Sequence, residues 1–500
     1  MVALIAVMGA SVLLRLDGLQ FSLWSDEGIS VGIASHALAD IPALLRQDGS
    51  PPLYYLLLHQ WMQLFGSSVE TLRSLSLVFA AAAVPVSWWA GRSLFGARAG
   101  WVAAVLAAVA PYLSEQGREA RMYSLLVVLG LATVATFLHA FARRRRRWLP
   151  AFVASLVLVL YTHNWGPFLA LGTAAAAGYC VLAGHDRRRV LGDALAAFAA
   201  VALLYLPWVP TLLFQARHTG APWARSPGGG SLAWALSTVL GGPWVALLLV
   251  VAIAAFGLDT ARRQRTPEST AVKALVVVLV VTVSASWLSS QVVPAWSMRY
   301  FGIYLPMLLL LASVALASSA RAGPAALAAV VLVSVVPWAG SPAEAVPKSN
   351  VEDLAATLAG RARAGDVVMS TQMEQVPLLR YYLGPDLRYA DPAGLVSDPT
   401  AADWRDAFER MRKASPAEVL APMVEDLPVG QHVLVFCPRL FTDGSDLLWY
   451  RLMDIHCRSA RMALSADPAM ALVAGPLPPM ATTEPGASVF VVVYRKLGPP

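Results

Sequence analysis

Asp26 and Glu27 stand side by side in Phe21-Ser-Leu-Trp-Ser-Asp-Glu-Gly28, just beyond the first apolar stretch and beside a tryptophan. A carboxylate partly shielded by apolar helices can take a proton from a reacting hydroxyl, whereas an acidic pair open to water is ordinarily only solvation. Groups of complementary charge lie in Ser114-Glu-Gln-Gly-Arg-Glu-Ala-Arg-Met-Tyr123, which holds Glu115, Arg118, Glu119 and Arg121, and at Arg299-Tyr300. Guanidinium groups at such places can hold a phosphate through charge-assisted hydrogen bonds. Arginines near helix ends also snorkel to lipid headgroups.

The elements that must position these residues are set by composition. The chain has 500 residues, 57% hydrophobic and only 14% charged, which lies outside the usual globular range. The apolar residues fill long windows up to about Trp338, while charge, proline and ordinary amphipathic patterning dominate the remainder. A membrane domain followed by a smaller soluble one is the expected organisation. The net charge of +7 does not point to nucleic acid, because the basic residues sit in short clusters between apolar windows, where they act as topology signals.

A spanning helix needs about 20 mostly apolar residues, and about 11 such windows are expected: 1–16, 71–95, 99–114, 121–141, 148–163, 167–184, 190–213, 238–258, 271–290, 300–318 and 324–340. The first is short and reads as a signal anchor rather than a cleaved signal, since no small-residue cleavage site follows it. Arg92 with Arg98, Arg143 to Arg147, Arg187 to Arg189, Arg262 with Arg263 and Arg265, and Arg321 fall at every second connection. Those connections are predicted to be cytoplasmic. Gly18 to Glu70, Ser114 to Glu119, His163 to Gly166, Gln215 to Ser231, Gln291 to Arg299 and the C-terminal domain are then outside. Trp88, Trp89, Trp148 and Trp165 sit at span ends, as an aromatic belt requires.

Within the external loop 17–70, Ile29 to Leu45 has helical apolar spacing, and Ser50-Pro-Pro-Leu-Tyr-Tyr opens a second apolar stretch ending at Phe65. Both are expected to be helices on the outer interface, the proline pair suiting a first turn. After a linker at 341–350, residues 351–500 alternate strand-like runs (Val367 to Ser370, His432 to Phe436, Ala469 to Ala474, Val489 to Tyr494) with helical stretches (Val351 to Ala364, Leu447 to Arg458). A small α/β domain is predicted. Of the three cysteines, Cys180 lies in an apolar window, and Cys437 and Cys457 can pair if their domain is extracytoplasmic.

Trp24-Ser-Asp-Glu27, Ser50-Pro-Pro-Leu-Tyr-Tyr55, Phe65-Gly66, Leu72-Arg73-Ser74 and the segment 114–123, with Tyr161-Thr-His-Asn164 and Arg299-Tyr300 more weakly, resemble the GT-C glycosyltransferases of the protein O-mannosyltransferase and lipid A aminoarabinose transferase superfamily. The resemblance covers about the first 340 residues. It implies a GT-C fold and a sugar donor on a polyprenyl phosphate presented from the outer leaflet. The acceptor would be a glycan, glycolipid or protein, and mannose is favoured by analogy. Asp26 would face the reacting centre, with Glu27 and Glu119 as acidic partners. Arg121, Arg299 and Arg118, with Tyr123 and Tyr300, would hold the donor phosphate. Trp24, Pro52, Tyr54, Tyr55 and Asn164 would line the donor or acceptor pocket. Relatives bind a divalent metal ion, for which His163 is the candidate here, although a lone interfacial histidine serves equally as a structural hydrogen-bonding residue. Two departures matter: Ser50 stands where relatives carry histidine or lysine, and no sugar-binding repeat domain of the eukaryotic mannosyltransferase kind is present.

The high alanine, arginine and valine content suggests a GC-rich bacterial genome, hence a plasma-membrane location and a decaprenyl or undecaprenyl carrier. A transporter or flippase of a lipid-linked glycan is the competing reading. It would show paired interrupted helices or ionisable residues at mid-membrane depth, whereas the candidates here gather at outer helix ends. A ligand sensor would leave the Asp26 loop without a task.

Overall fold

A computed structural model of the chain describes residues 1–183, 186–262, 266–339, 347–439, 447–477 and 488–498. Arg263, Arg265 and residues 341–346 of the expected linker lie outside the described residues, as does the side chain of Arg262. The helices are α1 (Val2–Leu16), α2 (Ser25–Ala34), α3 (Ile41–Asp48), α4 (Leu53–Phe65), α5 (Val69–Phe95), α6 (Ala97–Val109), α7 (Pro111–Gln116), α8 (Tyr123–Phe137), α9 (Leu149–Leu160), α10 (Gly166–Ala183), α11 (Arg187–Tyr205), α12 (Val209–His218), α13 (Ser231–Leu240), α14 (Pro243–Arg262), α15 (Pro267–Val292), α16 (Leu305–Ser318) and α17 (Ala322–Ala339). Every apolar window of the sequence is therefore occupied by helix. Among the described residues five helical stretches are long and apolar enough to cross a membrane, six if α13 and α14 form one broken span, against the 11 windows expected, and several of the others are shorter apolar helices.

The window at 238–258 is not one straight helix. The axes of α13 and α14 differ by 98°, because Gly241 and Gly242 both take positive φ and Pro243 cannot continue the hydrogen-bond ladder of the helix before it. In the same way Pro111 ends the expected span 99–114 at Val109 and turns the chain into the short α7.

The external loop also departs from expectation. Helix starts at Ser25, four residues before the apolar periodicity, and stops at Ala34; α3 follows separately. Asp26 and Glu27 thus occupy the first turn of α2, where the exposed N–H groups favour negative charge. Nor does α2 lie on the interface, since most of it is buried. A Cβ at Gly28 would lie 2.8 Å from the backbone of Leu378, and one at Gly32 would lie 1.8 Å from the Thr400 oxygen. The C-terminal domain is docked on the back of the helix at backbone contact.

That domain contains α18 (Val351–Leu358), α19 (Val376–Leu383), α20 (Ala407–Lys413), α21 (Pro416–Glu425) and α22 (Leu448–Ala466). Its strands are β1 (Val367–Ser370), β2 (Arg388–Asp391), β3 (Gly394–Leu395), β4 (His432–Pro438), β5 (Met470–Leu477) and β6 (Val489–Lys496), in sheet order β3-β2-β1-β4-β6-β5. The pairs β1–β2 and β1–β4 are parallel, and the other neighbours antiparallel. The first helix ends at Leu358, six residues short of the sequence expectation, and α22 runs eight residues past it. Strand β2, Arg-Tyr-Ala-Asp, has no apolar run like that of β1, and β3 has only two residues, so neither is marked by local pattern. One apolar core runs from the bundle through Leu378 and Leu379 to Leu434 and Val491 of the sheet. Asn350, assigned to the linker from sequence, is buried and bonds both backbone groups of Val489.

Cys437 and Cys457 form a disulfide joining β4 to α22 across a sequence separation of 20. Loop-closure entropy puts its contribution at about 3 kcal/mol. The Cys437→Ala, Cys457→Ala double variant is expected to melt several degrees lower and to lose the effect of reductant on the melt, as read by thermal unfolding of purified protein.

Glu374, on the turn between β1 and α19, is buried and its carboxyl is pushed up to about 7, by desolvation above all. Its folded value thus exceeds the ordinary 4.5, so proton binding favours folding, and stability present below pH 4.5 is lost as the pH rises through 7. Glu374→Gln should leave the melting temperature unchanged at pH 5 and raise it at pH 8, a difference of up to about 3 kcal/mol.

Candidate active site

The adjacent carboxylates of α2 point about 100° apart around a helix of 3.6 residues per turn, and that geometry separates their tasks. Glu27 is wholly buried. Its Oε1 accepts from Arg73 Nε at 2.8 Å and from the Ala120 amide at 2.8 Å. Its Oε2 accepts from Arg73 Nη2 at 2.6 Å and the Trp24 amide at 3.3 Å. Arg73 also donates to the carbonyls of Gly18, Leu19, Phe21 and Ser22. Glu27 does not line the polar cavity described below. Its geometry is that of a fastener joining the turn before α2, the top of α5 and the loop after α7.

Asp26 keeps 21% of its side chain exposed and faces a cavity of about 210 Å³. It pairs with Arg299 and lies 3.8 Å from Arg121. Arg121 donates through Nη1 to Ser30 Oγ at 3.0 Å and more weakly to Tyr55. Arg299 is held between the rings of Trp24 and Trp223, at 5.2 and 5.0 Å, and donates to Ser297. Two guanidinium groups fixed in place around one carboxylate form an anion site whose present counter-ion is Asp26 itself.

Tyr123, His163, Asn164 and Tyr300 line the same cavity. Tyr300 meets His163 at 4.8 Å and Trp165 at 5.1 Å between ring centroids. Desolvation, with Arg121 and Arg299 nearby, pulls the His163 imidazole down to about 3, so it is neutral. Its Nδ1 accepts from the Trp165 amide, leaving Nε2 as its open nitrogen. Among the described residues no three His, Cys, Asp or Glu side chains are grouped as metal ligands.

Other expected residues fall elsewhere. Arg118 donates to Ser114 and Asp17 carbonyls and does not line the cavity. Pro52 caps α4. Tyr54 is buried against Ser76, and Tyr55, also buried, reaches Arg121 from outside the cavity lining. Glu119 is buried and meets Lys348, and Glu115 lies 3.6 Å from the same ammonium; burial raises the Glu119 carboxyl.

Several site residues had no assigned role at the sequence level. Asp48 lines the cavity, and desolvation above all pushes its carboxyl up to about 6; it lies just ahead of the Ser50-Pro-Pro segment. Trp223, Trp404 and Lys348 carried no local signal. Trp404 comes from the C-terminal domain, whose segment 404–406 is strapped to the bundle by hydrogen bonds from the Trp404 amide to the Gln47 carbonyl and from the Asp406 amide to the His218 carbonyl.

Residues 49–214 match the family described as dolichyl-phosphate-mannose-protein mannosyltransferase. No curated protein sequence is significantly similar to the chain. Among solved structures, ArnT from Cupriavidus metallidurans bound to undecaprenyl phosphate superposes with a TM-score of 0.65 at 15% identity, over 98% of this chain and 97% of that one. The archaeal oligosaccharyltransferase AglB from Archaeoglobus fulgidus, in complex with an inhibitory peptide and a dolichol-phosphate, does so with a TM-score of 0.58 at 12% identity, over 92% of this chain and 71% of that one. The fold of these two structures is thus shared along almost the whole of this chain, residues 49–214 match that family model, and the long apolar helices fit a multi-pass membrane protein.

Proposed function

We propose that the protein transfers a sugar, mannose by analogy, from a polyprenyl phosphate to an acceptor hydroxyl on the outer face of a bacterial plasma membrane. The observation that carries this reading is the Asp26 carboxylate held between Arg121 and Arg299 at a cavity. The donor phosphate takes over the two guanidinium groups and frees the carboxylate. The acceptor oxygen then forms a bond to the anomeric carbon as the bond from that carbon to the phosphate oxygen breaks. The phosphate leaves with the electron pair, and the acceptor proton passes to Asp26. A base neutralised until donor arrives does not act on water alone.

Several features support this assignment. The undecaprenyl phosphate of the ArnT structure and the dolichol-phosphate of the AglB structure are carriers of this kind. The disulfide of the C-terminal domain suits an oxidising compartment, and the same domain roofs the cavity, which favours an extracytoplasmic site. The test is transfer of labelled sugar by purified protein from a panel of synthetic polyprenyl-phosphate sugars. Transfer from at least one donor is expected; none from any would end the proposal.

A further inference from the structure

We infer, on the glycosyltransferase reading above, that His36 and His218 are positioning residues: as imidazolium ions they clasp the two ends of segment 398–406 and hold Trp404 in the wall of the Asp26 cavity, more firmly in acid. The segment begins and ends in an aspartate, and each aspartate crosses from the C-terminal domain to a histidine of the helical bundle. His36 lies 3.0 Å from Asp398, and His218 lies 3.2 Å from each carboxylate oxygen of Asp406. Trp404, between them, lines the cavity with Asp26, Arg121 and Arg299. The segment contains no helix or strand, only turns, irregular chain and one bridge from Arg405 to Thr219. Ala401 and Ala402 join the apolar core, and the charged contacts lie at its two ends.

The surroundings of His36 call for its charged form. Its Nδ1 lies 3.0 Å from the Gly32 carbonyl, and its Nε2 lies 3.0 Å from Asp398 Oδ2 and 3.3 Å from Thr400 Oγ1. The Thr400 hydroxyl donates to Asp398, so both ring nitrogens face acceptors. A neutral imidazole has one N–H and would turn a lone pair on the carboxylate or on the carbonyl. Desolvation is the largest influence on Asp398 and raises its carboxyl, but Thr400 and His36 together bring it below its ordinary value, so it keeps its charge. The imidazolium also closes the C-terminal turn of α2, where a cation is favoured, on the helix that carries Asp26. His59 of α4 meets the Ala34 carbonyl in the same turn.

At the other end Asp406 has φ 50°, a conformation that aspartate tolerates, and both its amide and its carboxylate meet His218. The neighbouring charges are engaged elsewhere: Asp403 pairs with Arg405 and Arg410, and Arg46 lies over the Phe214 ring beside His218. The side chains of His218 and Asp406 are 40% and 59% exposed, so water screens this clasp and it biases the segment rather than locking it. Imidazole is the side chain whose charge changes between about pH 5 and 8. Both clasps are therefore complete at the acid end of that range and lose their ionic part as the pH rises. Asp48 and Glu374 also titrate within it, so the test compares wild type with variants that retain both.

The experiment follows hydrogen exchange of the full chain in lipid nanodiscs, on peptides covering 398–406, at about pH 5.5 and about pH 8, corrected for the intrinsic pH dependence of amide exchange. Protection should be about threefold greater in acid for wild type. The double variant His36→Gln, His218→Gln, whose amides still donate but carry no charge, should lose that difference. So should Asp398→Asn, Asp406→Asn, which keeps both histidines. The same acid-to-alkaline ratio in wild type and in both double variants would overturn the clasp. If neither double variant folds, His218→Gln alone, at its exposed position, should lose part of the difference, and an unaltered ratio there would also overturn it. In transfer assays the donor KM of wild type should rise about threefold more between the two pH values than that of the histidine double variant, with the ratio of turnovers unchanged. Equal rises in KM would remove the positioning role. If wild type moves no sugar from any donor, the transferase reading fails by itself, and hydrogen exchange still decides whether the histidines clasp the segment.

Discussion

Asp26→Asn is expected to lower the turnover of sugar transfer about a thousandfold, within the range that removal of a general base produces. The amide has the size of the carboxylate and can still accept from Arg299, so the variant should fold and melt like wild type. It cannot take the acceptor proton. Because the two guanidinium groups also lose a competing anion, the KM for the donor should stay level or fall. A drop in turnover with unchanged donor KM and melting temperature is the signature of a group that acts on the proton. Single-turnover transfer by purified protein measures it, and a variant within tenfold of the wild-type rate would remove Asp26 from the chemistry.

Its neighbour should behave differently. Glu27→Gln leaves the Arg73 guanidinium buried without a counter-ion, and breaking a buried pair in this way costs about 3–5 kcal/mol. Loss of folded protein, seen as poor recovery and a sharply lower melting temperature, is the expected result. Arg73→Lys should fail as well, because an ammonium cannot reproduce the planar set of donors that Arg73 directs at Glu27 and at four backbone carbonyls. Glu27→Gln combined with Arg73→Met should recover part of the loss, since it removes the stranded charge. If Glu27→Gln kept full stability and lost only rate, Glu27 would be a reacting group.

These two outcomes express one design. Glu27 fastens the first turn of α2 from behind and Asp26 projects from it toward the cavity, so the carboxylate proposed to react sits on an anchored turn. The C-terminal domain completes the arrangement, since Gly28 and Gly32 admit its backbone against the far side of α2. The stability of that domain and the placement of Asp26 are therefore linked through direct contact rather than through a distant effect.

Much of this was legible in the residues alone, for identifiable reasons. The cost of leaving backbone polar groups unpaired in lipid forces each long apolar window into helix, so the windows marked helices without knowledge of their neighbours. Adjacent carboxylates, the proline pair and the arginines at helix ends are local patterns, and they marked the loops where chemistry is proposed. Local pattern also located four of the strands, β1, β4, β5 and β6, which carry runs of apolar residues. What tertiary structure alone decided involves partners far apart in the chain. Asp26 meets Arg299, Glu119 meets Lys348, and Trp404 closes a cavity begun at Asp26. No local propensity distinguishes Asp26 from Glu27. The distinction arises because one side of α2 meets a buried arginine while the adjacent side opens on a cavity, and the packing of α5, the loop after α7 and the C-terminal domain determines which side is which.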